Sequence, residues 1–215
     1  MKHIIEYSQI EFFKTHRYLE LEGLIPEKKM QELVSAIESF RSKVEKKHFD
    51  KSQAFLQFHD LYREIEPLKK FLTSKTLATI ISELTSESYF RLAFDQLLLY
   101  PMAKNYPHHL KVADDLSFQG LILGMMIKIG GATEDEISYL PKKTSNVVFF
   151  DPTLTLNLDA FDSPTGTEVL LVGFGFQDIR YRHKDSDPHT HLLKNYGYVF
   201  GDSLINAHHP IVFSK

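Results

Sequence analysis

The chain has 215 residues, of which 43% are apolar and 25% charged, and its formal net charge is −3. That length fits one globular domain with a sizeable core, and the slightly acidic balance gives no overall attraction to nucleic acid or to an anionic membrane. The absence of cysteine excludes disulfides, thiolate metal sites and cysteine nucleophiles, and it matches a reducing cytoplasm, the expected location.

The N-terminal stretch "MKHIIEYSQIEFF" contains Glu6 and Glu11 and has no long apolar core, so it does not read as a signal peptide. From Pro26 the sequence "PEKKMQELVSAIESFRSKVEKKH" places Met30, Leu33, Val34, Ile37, Phe40 and Val44 on one helical face. Pro26 suits the first turn and Glu27 complements the positive end of the helix dipole. Lys43, Lys46 and Lys47 sit at the other end, where a solvated cationic terminus is the ordinary reading and phosphate contact the sharper one. A second helical run is expected over about Gln53 to Leu72, with Phe58, Leu61, Tyr62, Ile65 and Leu68 as its stripe and Pro67 bending or dividing it. A third begins near Ser74, capped by Thr73 or Ser74, with Leu77, Ile80, Ile81 and Leu84 on its buried side.

The period then changes. In "YFRLAFDQLLLYP", Phe90, Leu92, Phe94, Leu98 and Tyr100 alternate with Arg91 and Asp95, which reads as a strand with one polar face. Further strands are expected at "LSFQGLILGMMIKI", "EISYLP", "SNVVFFD", "TEVLLVGFGFQDIRYR", "YGYVFGD" and "PIVFS". The longest apolar stretch, Leu121 to Ile129, carries Lys128 and is too short to span a membrane, so the chain reads as soluble. Gly130-Gly131 reads as a turn. "GFGF" at Gly173 to Phe176 lies inside a strand pattern without a following helix, so strand packing is preferred to a nucleotide fingerprint. No P-loop, serine elbow or zinc-protease motif is present. Helices segregated from strands imply an α+β fold in one domain, 1–215, with a mainly helical part over 1–85 and a strand-rich core over 86–215.

"FFKTHRYLELEGLIPEKKMQELVSAIE" resembles the entry segment of phytanoyl-CoA-hydroxylase-like proteins, within the Fe(II)/2-oxoglutarate-dependent oxygenases. There a short strand and a Gly-Leu-Ile-Pro turn lead into a helix that buttresses a double-stranded β-helix, a jelly-roll, cupin-like core. "FRLAFDQLLLYPM" is similar to the first long strand of that core. "SYLPKKTSNVVFFDPTLTL" is similar to the later passage that leads to the distal metal histidine. The resemblance extends to about Arg182 and implies the fold together with an expectation for the site.

Iron of this type takes two neutral imidazoles and one carboxylate on one face, leaving positions for 2-oxoglutarate and dioxygen. The resemblance places the distal histidine at the end of the "NVVFFDPTLTLNL" strand, where Leu156 stands between Thr155 and Asn157. No histidine occurs between His109 and His183. The resemblance places a His-x-Asp/Glu pair between Tyr100 and "QGLILGMMIKI". His108 and His109 lie there, but two places on are Leu110 and Lys111, and Asp114 and Asp115 stand at the wrong spacing. The arginine that would hold the co-substrate matches near Thr167, with Arg180 and Arg182 further on. The iron site therefore reads as dismantled on a retained fold, with His108 and His109 as the remaining candidate metal ligands near the pocket mouth.

The tail "YRHKDSDPHTHLLKNYGYVF" offers another spelling: His183 and Asp185, with His208 or His209 as a third ligand. Asp185, Ser186, Asp187 and Pro188 form a turn-rich run in which side-chain direction is not fixed by a pleat. His189 and His191, like His208 and His209, read as solvated loop histidines, or as an adventitious surface site for zinc, nickel or copper.

Three functions stay open. The first is a non-catalytic binding or regulatory protein on the oxygenase fold, whose partner is an unknown small molecule or a protein. The second is an active metal-dependent oxygenase with non-standard ligands drawn from His108 or His109 and Asp114 or Asp115; only that reading calls for Fe(II) and 2-oxoglutarate as cofactors. The third is a divalent-cation-dependent transcriptional regulator, which ranks last. The helices carry no basic recognition face, strand content is high and cysteine is missing, so neither nucleic acid nor membrane is an expected partner.

Overall fold

The structure, a computed structural model, describes residues 5–45, 57–99, 106–131, 139–159 and 167–213. It opens with a helix that the sequence reading did not anticipate, α1 (Tyr7–His16), whose start is fastened by Glu6 N–H donating to Gln9 Oε1 at 2.9 Å. Strand β1 (Tyr18–Leu21) buries Leu19 and Leu21, and Gly23 turns the chain at φ +61°. Gly23 N–H donates to Asn146 Oδ1 at 3.2 Å, which docks the Gly-Leu-Ile-Pro turn on the loop ahead of the strand Val147–Phe150. Helix α2 (Glu27–Glu45) follows as expected, with Met30, Leu33 and Ile37 buried; Lys46 and Lys47 lie outside the described residues.

The second expected helix is not one helix. Its first residues, Gln53 to Leu56, lie outside the described residues, and Phe58 to Asp60 form a strap bridged to a strand through His59. Asp60 adopts left-handed φ/ψ (φ 55°), followed by a 3-10 turn (Leu61–Arg63) and a short α3 (Glu66–Leu72) with Pro67 in its first turn. Proline lacks the amide hydrogen that a helix interior needs and a first turn does not, so Pro67 starts a helix here. The expected stripe is nonetheless the buried one: Phe58, Leu61, Tyr62, Ile65 and Leu68 are all buried. Helix α4 (Lys75–Thr85) begins where expected, Ser74 Oγ accepting from Leu77 N–H at 3.4 Å.

The strands are β2 (Tyr89–Leu98), β3 (His109–Lys111), β4 (Phe118–Gly130), β5 (Val147–Phe150), β6 (Thr155–Asn157), β7 (Glu168–Tyr181) and β8 (Ile211–Phe213). A one-turn helix, α5 (Val112–Asp115), separates β3 from β4. One antiparallel sheet has the order β1-β5-β4-β7-β2-β8, and a second pairs β3 with β6. The α+β class holds. Two expected strands are not seen among the described residues: Tyr139 and Leu140 of "EISYLP" lie in a turn, and its earlier residues are outside the described set. "YGYVFGD" begins in a 3-10 helix (Leu192–Tyr196) that Gly197 ends at φ +84°.

Strand β2 also departs from the expected half-polar pattern, since Arg91, Asp95 and Gln96 are buried along with its apolar residues. A bulge between Leu92 and Phe94 breaks the register with β7. Tyr100 lies outside the described residues. The outer edge of β2 is shared, β8 pairing with Tyr89 to Arg91 and the strap bridging its other half through His59 and Gln96. Asp60 N–H donates to Asp95 O at 2.8 Å, and Leu97 N–H to Phe58 O at 3.0 Å.

At the sheet centre Gly124 pairs with Gly173. A Cβ on Gly173 would sit 2.2 Å from the Phe94 ring, and one on Gly124 2.1 Å from that of Phe150. The two glycines thus open the space that the two phenylalanines fill, which is the strand-packing role expected of "GFGF". No described helix is long and apolar enough to cross a membrane.

Candidate functional site

The residues matched to the iron ligands fall on the small β3–β6 sheet. Its register sets His109 opposite Asn157, Leu110 opposite Leu156 and Lys111 opposite Thr155. Leu110 and Leu156 are fully buried, whereas His109, Lys111 and Thr155 are exposed. Side chains alternate across a strand, so the leucine pair faces the core and the polar residues face away from it. A leucine has no lone pair to give a metal, and the donor set at this register does not fit Fe(II). Residues 100–105, outside the described set, contain neither histidine nor acid.

The other candidates are placed apart. The His108 ring is exposed and its Nδ1 lies 2.7 Å from Asp159 Oδ1; this hydrogen bond holds the Asp159 carboxyl below the ordinary range. Asp115 accepts from Lys111 N–H at 2.7 Å, which commits it to the α5 turn, and Asp114 is exposed. Arg182 donates to the carbonyls of Ala113, Leu116 and Asp114, fastening the end of β7 to α5, and Arg180 donates to that of Gly201, tying β7 to the tail. Thr167 is buried at the start of β7.

The tail histidines divide into two groups. His183 and His191 are exposed, their ring centroids 5.7 Å apart, each beside Phe200; His183 Nε2 is 3.6 Å from the exposed Asp185. His189 and His209 are buried, which corrects the surface placement expected for His189 and the solvated reading of His209. The physical reason is a set of tight turns. Asp187 accepts from Ser117 N–H at 2.7 Å and from His189 N–H at 2.8 Å, so the Asp-Pro turn is pinned to the start of β4 and His189 points inward. The expected His189–His191 pair is therefore split between interior and surface. Among the described residues no group of three or more histidines and acids could hold a metal ion.

A buried polar cluster that sequence reasoning did not single out surrounds the strap. The His59 ring stacks on Phe94 at 6.0 Å and lies 4.3 Å from that of His189, which in turn meets Tyr106 at 6.2 Å. His59 Nδ1 is 3.2 Å from Asp60 Oδ1, and Arg63 reaches Asp60 Oδ2 at 2.9 Å. His209 Nε2 lies 3.2 Å from Arg63 Nη2, and its Nδ1 lies 2.9 Å from the carbonyl of Ala93, which implies that the proton sits on Nδ1. Asp95 accepts two backbone N–H bonds, from Leu61 and Tyr62, both 2.9 Å.

These surroundings drive the two carboxyls in opposite directions. Burial alone would raise Asp60, but the neighbouring His59 and then Arg63 hold it down, at about 2. Burial, with the Asp60 charge added, pushes Asp95 up to about 7 against its two N–H donors. Burial drives the His209 imidazole down to about 3, and His189 falls well below its ordinary value for the same reason. Burial alone would lower His59 too, but Asp60, with Asp95 and Asp187, moves it the other way. Chemically the cluster is an ionised Asp60 clamped by Arg63 and His59, with neutral imidazoles from the tail packed over it. The signal was present in "FHDLYREIEP", where a His-Asp-Arg set interrupts an apolar stripe, and in Asp95 within an otherwise apolar strand.

No protein-family model and no curated protein matches this chain. Solved structures do. SnoK, a non-haem α-ketoglutarate-dependent carbocyclase from nogalamycin biosynthesis, superposes with a TM-score of 0.69 at 12% identity, covering 97% of this chain and 96% of its own. SnoN, an epimerase dependent on the same co-substrate from the same biosynthesis, gives 0.66 at 11% identity, with 97% of both chains covered. CT296 from Chlamydia trachomatis gives 0.53 at 16% identity, covering 81% of this chain and 98% of its own. The helical buttress, the curled antiparallel sheet and these superpositions together make the chain's fold the double-stranded β-helix of the Fe(II)/2-oxoglutarate-dependent oxygenases.

Proposed function

We propose that this chain is an oxygenase-fold protein that works by binding, in a regulatory or sequestering role in the cytoplasm, and not by iron-dependent oxidation. The observation that carries this reading is the leucine pair. Leu110 and Leu156, fully buried and opposed in register, stand where the resemblance calls for metal ligands. Replacing donors by aliphatic side chains removes the lone pairs that would hold Fe(II) and through it the 2-oxoglutarate carboxylate. The partner is a small molecule or a protein.

The test is metal analysis of protein purified without an affinity tag, followed by anaerobic titration with Fe(II) and 2-oxoglutarate. The expected result is substoichiometric iron, no charge-transfer absorption on adding 2-oxoglutarate, and no succinate on admitting oxygen. One tightly held iron per chain with 2-oxoglutarate turnover would overturn the reading.

A further inference from the structure

A concavity lies between the 3-10 turn, α3 and the tail, and it shares no residue with the leucine pair. It encloses about 280 Å³ and is lined by Tyr62, Arg63, Glu64, Lys69, Tyr196 and His208, among others. Arg63 forms its inner wall. Arg63 Nε and Nη2 are engaged by Asp60 at 3.0 and 2.9 Å, and Nη2 also meets His209 at 3.2 Å. The remaining nitrogen, Nη1, makes no hydrogen bond or ion pair among the described residues. The Tyr196 ring covers the guanidinium at 4.2 Å, so the fork is held in one plane. Tyr196 and His208 stand side by side, ring centroids 5.2 Å apart and tilted by 44°. Asn206 accepts from Arg91 at 2.7 Å through its Oδ1, which leaves its amide N–H groups as donors at the same rim.

The hydrogen-bonding inventory of the concavity is one-sided. Arg63 Nη1, the exposed Lys69 ammonium and the Asn206 amide donate, and Glu64 is the one charged acceptor in the lining. A guanidinium fixed by a carboxylate behind it and an aromatic ring above it is pre-organised to take an oxyanion edge-on. The flanking rings of Tyr196 and His208 suit a flat apolar body. We propose that this concavity binds a small aromatic oxyanion, a carboxylate or a phosphate monoester carried on a single ring.

The experiment uses the full chain with benzoate, phenyl phosphate, acetate, inorganic phosphate and neutral benzamide as probes, read by ligand-observed NMR and thermal shift. Benzoate or phenyl phosphate is expected to bind and to raise Tm, the stronger of the two naming the source of the anion, while benzamide and acetate bind at least about tenfold more weakly, the loss of one ionic or stacking contact. Lys69→Ala and Tyr196→Ala alter exposed side chains and are each expected to weaken binding about three- to tenfold with the fold intact by circular dichroism. Equal binding of benzamide and benzoate, no response to any probe, or unchanged binding in both variants would overturn the proposal. None of these outcomes depends on iron, so failure here is separable from failure of the proposed function.

Discussion

At Gly173 a single methyl group has nowhere to go. Its Cβ would lie 2.2 Å from the Phe94 ring, and the neighbouring strand at Gly124 is closed by Phe150 in the same way. Gly173→Ala is expected to destabilise the fold by about 1–3 kcal/mol, the usual cost of overpacking. Chemical denaturation checks it, and Gly173→Ala combined with Phe94→Leu should recover part of the loss; additive losses would show that the ring is not the obstacle. His209 makes a second expectation at this scale. Its folded value near 3 lies below the ordinary imidazole value of 6.5. Its contribution is therefore fully present above 6.5 and is lost as pH falls towards 3, because the unfolded chain takes up a proton that the fold refuses. Asp95, raised to about 7, has the opposite sign, since the folded chain holds its proton between the ordinary carboxyl value and neutrality. His209→Gln should remove up to about 1.4 kcal/mol per pH unit from the slope of stability between pH 6 and 4. An unchanged slope in unfolding curves measured across that range would contradict the buried, neutral state of the ring.

Among the elements, those with strong local signals were legible and those set by partners were not. The amphipathic α2, the capped α4 and the long strands β4 and β7 follow from period and punctuation alone. Ser74→Ala is expected to cost α4 about 0.5–1 kcal/mol, at the low end for an N-cap because the bond is 3.4 Å long. A Tm unchanged beyond error would mean that packing of Leu77, Ile80, Ile81 and Leu84 alone starts the helix. The strap at residues 58–60 departs from the expected helix for a physical reason. Phe58, Leu61, Tyr62, Ile65 and Leu68 keep helical spacing, yet the backbone of Phe58 and Asp60 finds its hydrogen bonds on β2, a partner about 35 residues away that no local pattern announces. The same blindness hid the buried cluster. His59, Asp60 and Asp95 look like solvated residues until the strap lies across the strand. In the tail, turn-rich spelling was read as exposure, whereas Asp187 uses its turn to drive His189 inward.

For the whole molecule, the α+β layout and the curled sheet followed from segregated helices and strands and from the resemblance in the entry segment. Leu156 is singled out by the resemblance, counted along the strand, but its pairing with Leu110 required the β3–β6 register. The strap has one further effect on the molecule as a body among others. An uncovered strand flank is a template for any passing chain, and natural sheets guard such flanks with charge, proline or a covering segment. Here β8 is three residues long and covers only the first part of β2. The strap, which ends on the ionised Asp60, covers Asp95 to Leu97. A change that unseats the strap would therefore convert the molecule into one whose newly bared flank recruits its neighbours, and self-association would be the first symptom.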